Sequence, residues 1–219
     1  MTTPDLSWVA GGSGLVGGQL LQQLAGSPVL ALVRRPLAGL PRDDHRQERC
    51  VDLRQLPADL PAPARVFIAL GTTMAQAGSQ AAFREVDFEA VLAVARAARR
   101  AGARQCGVVS ALGADPQSRV FYNRVKGEAE AALIALGFER LVIARPSLLD
   151  GAREALGQPH RSGEAWSLRL TRPLAPLIPK AWRPIAADRV ARALRLALDQ
   201  PGPAVQVLES GAMQTLGAP

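Results

Sequence analysis

Tyrosine and lysine are almost missing from this chain. Tyr122 is the only tyrosine, Lys126 and Lys180 are the only lysines, and 24 arginines supply nearly all the positive charge. Aromatic residues make up only 4%, so Ala, Leu and Val must fill the core, and stacking platforms for single-stranded nucleic acid are too few. Cys50 and Cys106 stand alone, which excludes a disulfide scaffold and a cysteine-rich metal site, and no metal is expected. Isolated cysteines fit a reduced, cytoplasmic protein. No apolar run approaches the roughly 20 residues that cross a bilayer, so no membrane partner is expected. Met1 to Asp5 lacks a basic leader followed by an apolar core, so no signal peptide is expected either. The net charge is +7, but the arginines are scattered without a block of like charges. That pattern reads as a solvated basic surface rather than a specific nucleic-acid footprint.

Short apolar runs alternate with longer helical patterns, the signature of an α/β protein with a parallel sheet. The runs are Leu6–Ala10, Val29–Val33, a weak one near Arg49–Val51, Arg65–Leu70, Gln105–Ser110, Leu141–Ala144 and Val205–Leu208. Helical patterns cover Leu15–Leu24, Ala82–Ala101, Ser118–Leu136 and Ala186–Leu198, the last predicted to be the final helix. Val86, Ala90, Val94, Ala97 and Ala101 form the expected buried stripe of the second. Residues 1–219 read as one domain. Within it, 147–184 is Pro-rich and is expected to form a small lid with only short elements.

Gly11, Gly14 and Gly17 form a G-x-x-G-x-x-G turn between the first strand and the first helix. Glycines there let the backbone approach a pyrophosphate, and the helix N-terminus offers free N–H groups and partial positive charge. The second strand ends in Val33-Arg34-Arg35, with no acidic residue between Val29 and Arg42. An NAD site usually places an acid there for the ribose 2′-hydroxyl, whereas arginine suits a 2′-phosphate. The guanidinium fork matches phosphate, so NADP is expected over NAD. Asp52-Leu53 and Gly71-Thr72-Thr73 follow the third and fourth strands, at the strand ends where open α/β sheets bind ligands.

Tyr122 and Lys126 are spaced i, i+4, one turn apart on one helical face. A free phenol ionises at about pH 10, and a neighbouring cation favours the phenolate, so such a pair suits exchange of a proton with a substrate hydroxyl or carbonyl. Ser110 closes the fifth strand and could donate to an oxygen on which charge develops.

Together these pieces resemble the short-chain dehydrogenase/reductase superfamily over about residues 6–150. The stretches Ala69–Thr73, Phe83–Asp87, Val109–Asp115 and Phe121–Glu128 resemble its atypical small members, the Tat-interacting-protein-30-like group of NADPH-binding, epimerase-like proteins. The resemblance implies a doubly wound, Rossmann-type sheet and an NADP(H)-dependent oxidoreductase acting on a small carbonyl or alcohol. It implies Tyr122 as general acid/base. Lys126 would favour the phenolate and hold the nicotinamide ribose, and Ser110 would orient the substrate carbonyl. Gly11, Ser13, Gly14, Leu15, Val16 and Gly17 would cradle the pyrophosphate, with Arg34 and Arg35 at the 2′-phosphate. Asp52 and Leu53 would flank the adenine, Leu70, Gly71, Thr72 and Thr73 would line its ribose, and Pro146 and Ser147 would approach the nicotinamide. Many relatives have a second serine where this chain has Ala111, which motivates an alternative: a non-catalytic NADPH-binding sensor or interaction protein. An epimerase-like enzyme on a small substrate is a further alternative. A short lid argues against a bulky sugar nucleotide. The lid arginines Arg153, Arg161, Arg169, Arg172 and Arg183 could favour an anionic substrate, His160 reads as a solvated loop histidine with an auxiliary acid/base as the alternative, and the protein is expected to be a monomer or homodimer.

Overall fold

The computed structural model describes residues 6–37, 44–150 and 183–218. Its chain order is β1 (Ser7–Ala10), α1 (Leu15–Gln23), β2 (Val29–Val33), β3 (Arg46–Cys50), β4 (Arg65–Ile68), α2 (Met74–Ala77) and α3 (Gln80–Arg84). A π-helical segment (Glu85–Ala90) runs into α4 (Val91–Arg100), followed by β5 (Gln105–Val109), α5 (Phe121–Ala135) and β6 (Arg140–Arg145). A small pair, β7 (Leu149–Asp150) and β8 (Ile185–Ala186), precedes α6 (Ala187–Asp199), β9 (Val205–Glu209) and α7 (Ser210–Leu216).

Seven strands form one sheet in the order β3-β2-β1-β4-β5-β6-β9, and every pairing is parallel. The order runs outward from β1 in both directions. The crevice at that reversal lies at the carboxyl ends of β1 and β4, where such sheets take ligands.

The apolar runs become central strands because both of their faces are covered. Successive side chains point to opposite faces. Trp8, Leu30, Val66 and Ile68 therefore face α4 and α5 in one cluster, while Val9, Ala31, Phe67 and Val142 face α1 and α6 in another. Gly107 in β5 leaves room for α6: an added Cβ would lie 2.9 Å from Leu198 Cδ1 and 3.1 Å from both Leu194 Cγ and Phe67 Cδ1. The edge strand β3 has no apolar signature because four of its five residues are exposed.

Several elements depart from the expectation: β3 begins three residues earlier, α2 was not expected, and α5 begins at Phe121 rather than Ser118. The helical stretch predicted to begin at Ala82 begins at Gln80 and contains the π segment. Its wider turn puts Asp87 into the interior and leaves Val86 only half-buried. Helix α6 is also not the last one. α7 follows β9 without a loop residue, with Glu209 as its N-cap, so the usual polar turn signal between elements is missing. Most of the expected lid, including His160 and every named lid arginine except Arg183, lies outside the described residues.

Candidate functional site

The glycine turn is shaped by close backbone contact. Gly11 has φ +92°, and a Cβ there would lie 2.4 Å from the Ala69 carbonyl oxygen, which brings the end of β1 against the end of β4. A Cβ on Gly17 would lie 2.0 Å from the Gly11 carbonyl oxygen. Gly14 is the N-cap of α1, with no side-chain cap and no acidic residue in the first turn. The helix thus offers free N–H groups, with Ser13 and Gly14 exposed beside them. Val16 instead packs into the core. This uncapped, glycine-lined helix terminus fits a pyrophosphate.

Arg34 and Arg35 are exposed beyond β2 and form no ion pair among the described residues. An acid from the next strand, Glu48, reaches the same loop. Its carboxylate accepts from Leu37 N–H at 3.0 Å and lies 3.7 Å from Arg46, which leaves the two arginines available for an anion. Asp52 accepts from the main-chain N–H of Arg54 at 2.9 Å and from its guanidinium at 3.1 to 3.2 Å. The Arg54 side chain holds this exposed carboxyl below the usual range, and Asp52 in turn raises Arg54. Leu53 and Leu70 are in the core, so they could border a nucleotide only through main-chain atoms.

Tyr122, Lys126 and Glu130 follow one another at four-residue spacing along α5. A close approach by the β5–α5 loop positions this face, since a Cβ on Gly127 would lie 2.2 Å from the Asp115 carbonyl carbon. Tyr122 is half-buried, its ring tilted 46° to Phe83 at a centroid distance of 5.3 Å. Lys126 is only 6% exposed and Asp87 1%. Lys126 Nζ stands 2.8 Å from Asp87 Oδ1. This is a buried ion pair at charge-assisted hydrogen-bond distance. The other oxygen, Oδ2, accepts from Thr72 N–H at 3.0 Å. Thr73 Oγ1 accepts from Gln76 N–H at 3.2 Å as the cap of α2, so the threonines serve as loop anchors while Gly71 keeps the space above the ion pair open.

Ser110 is not free. Its hydroxyl donates to buried Glu130 Oε1 at 2.5 Å, so the proton expected to reach a substrate oxygen is directed into the interior. Glu130 is paired with Arg145 at 2.6 Å, and Arg145 also with Glu209 at 3.3 Å. Glu130, more than any other neighbour, pushes the Arg145 guanidinium up. Ser147 Oγ donates to the Arg183 carbonyl at 2.5 Å and sits 2.9 Å from Ser210 Oγ, and Pro146 is buried. Sequence reading missed Asp87 and Glu130 as site residues. The i+4 spacing of Glu130 from Lys126 was an available signal, whereas the inward turn of Asp87 depends on the π segment. Among the described residues no group of three His, Cys, Asp or Glu side chains could hold a metal ion.

The parallel strand order and the glycine turn opening α1 define a Rossmann-type α/β fold. Solved structures of similar fold include MoeE5 in complex with UDP-glucose and NAD (TM-score 0.69, 21% identity, 93% of this chain and 75% of that one). Another is a short-chain dehydrogenase/reductase family oxidoreductase from Burkholderia thailandensis (TM-score 0.65, 18% identity, 97% and 94%). No family model matches the chain. Among curated proteins, the mitochondrial protein FMP52 of Eremothecium gossypii is 36% identical over 222 aligned residues, covering 95% of both chains. Its Coccidioides immitis counterpart is 36% identical over 166, covering 67% of this chain and 66% of that one. The chain belongs to the FMP52 family. This corrects the expected cytoplasmic location: the relatives are named mitochondrial, and two unpaired cysteines do not tell one reducing compartment from another.

Proposed function

We propose that this protein is an NADP(H)-dependent oxidoreductase acting on a small carbonyl or alcohol. The observation that carries the reading is the buried Lys126 ammonium one helical turn from Tyr122, at the sheet end where the glycine turn opens α1. Nicotinamide, when bound, would supply or accept the hydride. The chain's own residues would do the rest. The free N–H groups of α1 bind the pyrophosphate, and Arg34 and Arg35 take the 2′-phosphate in place of the acid of an NAD site. Lys126 holds the ribose with its ammonium hydrogens, and Tyr122 gives or takes the proton at its phenol oxygen. The NAD-bound complexes among structures of similar fold support a nicotinamide coenzyme. The preference for NADP rests on the two arginines alone. The test is NADPH oxidation across a panel of small carbonyls, with Tyr122→Phe as control; equal turnover by the variant removes Tyr122 from the mechanism.

One observation favours a second reading. Ser110 spends its proton on Glu130, and Ala111 has none to offer, so β5 presents no free hydroxyl to a substrate. A non-catalytic NADPH-binding protein fits that arrangement. It predicts tight coenzyme binding without turnover.

A further inference from the structure

We propose that Asp87 is a positioning residue that ties the loop after β4 to the tyrosine–lysine pair and holds the Lys126 charge in place. This rests on the coenzyme-site reading of α5 above.

The two carboxylate oxygens do different jobs. Oδ2 accepts the Thr72 amide at 3.0 Å, so it fixes the loop at the carboxyl end of β4. Oδ1 faces Lys126 Nζ at 2.8 Å. The carboxylate therefore holds the ammonium through one oxygen and the loop through the other. A buried lysine without a counter-ion would shed its proton, and a buried carboxylate without one would take one up. Each is the other's counter-ion. Gly71 completes the arrangement: a Cβ there would lie 3.4 Å from Asp87 Oδ1 and 3.7 Å from Lys126 Nζ, closing the approach to the ammonium. The carboxylate reaches this point because it stands in the π segment, a helical irregularity that recurs at functional sites.

The arrangement also shapes the potential at the phenol. Lys126 and Asp87 act on it with opposite sign. Glu130, on the same helix, is already compensated by Arg145. The Arg84–Glu128 pair at 2.5 Å and Arg124, 5.7 Å from the Phe121 ring centroid, are further charges on the packed elements, with Glu85 and Glu89 exposed on the π segment and Arg96, Arg99 and Arg100 on α4. Removing the Asp87 charge leaves more positive potential beside Tyr122 and favours the phenolate; removing Lys126 does the reverse.

A single tyrosine makes this measurable without coenzyme or substrate, because the phenolate absorbance on alkaline titration belongs to Tyr122 alone. Asp87→Asn keeps an acceptor for Thr72 and removes the charge. Its titration midpoint is expected to fall by about one pH unit relative to the wild type, and that of Lys126→Met to rise by a similar amount. If Asp87→Asn does not fold, the double variant Asp87→Asn/Lys126→Met carries neither charge, and its midpoint is expected to lie on the acid side of Lys126→Met. A midpoint in Asp87→Asn equal to the wild type, or a double variant indistinguishable from Lys126→Met, overturns the assignment. Turnover by Tyr122→Phe judges the oxidoreductase reading separately: opposed titration shifts with no NADPH turnover would leave Asp87 in place and remove the enzyme.

Discussion

The two ends of the sheet are built from the same strands and differ in kind. At the carboxyl end the polar groups are buried and coupled. Asp87 meets Lys126 and Ser110 meets Glu130 around a space of about 10 Å³, room for one water at most. At the amino end Arg65, Arg104 and Arg140 border a cavity of about 470 Å³. Volume alone would put a ligand there, but the chemistry argues otherwise. The Arg140 guanidinium donates to the Ala197 carbonyl at 2.8 Å, to Gln206 Oε1 at 2.6 Å and to the Pro203 carbonyl. It thus clamps the C-terminal end of α6 to β9, where a cation is favoured. Arg65 is paired with Asp199 at 2.6 Å. The larger hollow is bordered by Arg65 and Arg140, which bond within the scaffold, and the smaller one is lined by the Asp87–Lys126 and Ser110–Glu130 pairs. Buried charge pairs, rather than empty space, distinguish the end of the sheet proposed as the site.

Five substitutions or measurements can break that comparison. The largest effect is expected for Tyr122→Phe, which should lower turnover at least about a hundredfold, the usual share of a general acid/base, with little change in melting. Arg104→Ser at the other end should leave turnover and coenzyme affinity unchanged. Arg140→Met should do the converse of Tyr122→Phe. Denaturant unfolding is expected to show a loss of about 2–3 kcal/mol from orphaned acceptors, with NADPH binding by calorimetry retained; lost binding with intact stability would reverse the roles of the two ends. Arg34→Ser/Arg35→Ser should weaken NADPH by about tenfold or more while sparing NADH, in line with loss of charge-assisted hydrogen bonds. Equal weakening of both coenzymes would place the arginines elsewhere. The smallest effect separates the cysteines. Cys50 is exposed and Cys106 buried, and burial pushes the Cys106 thiol up. Since the thiolate is the reactive form, an alkylating reagent at mildly alkaline pH should label one thiol per folded chain and two after unfolding.

Most of the fold was legible in sequence because central parallel strands are apolar on both faces and stand out against amphipathic helices. β2 was predicted at its observed bounds, and β1, β4, β5 and β6 to within two residues. β3 was faint because an edge strand needs no apolar face. α7 was missed because it starts directly on the last residue of β9. In the site, the glycine turn and the Tyr122–Lys126 spacing were visible because each is local. What Ser110 and Ser147 bond to was not, since Glu130 is 20 residues from Ser110 and Ser210 is 63 from Ser147. Leu53 and Leu70 were expected beside a nucleotide, but an apolar side chain at a strand end turns inward when the core has room for it.

From the order of residues alone come the alternation of strand and helix, the glycines that permit backbone contact, and the single phenol one turn from an ammonium. These are determined locally, by backbone sterics and by periods of 2 and 3.6 residues. The tertiary structure alone decided which acids meet those groups. Asp87 reaches Lys126 only because a π turn rotates it inward and α5 packs across it, and the Ser110 proton goes to Glu130 only because β5 lies beside that helix. Charge pairing depends on distances between segments far apart in the chain, and those distances exist only once the layers have packed.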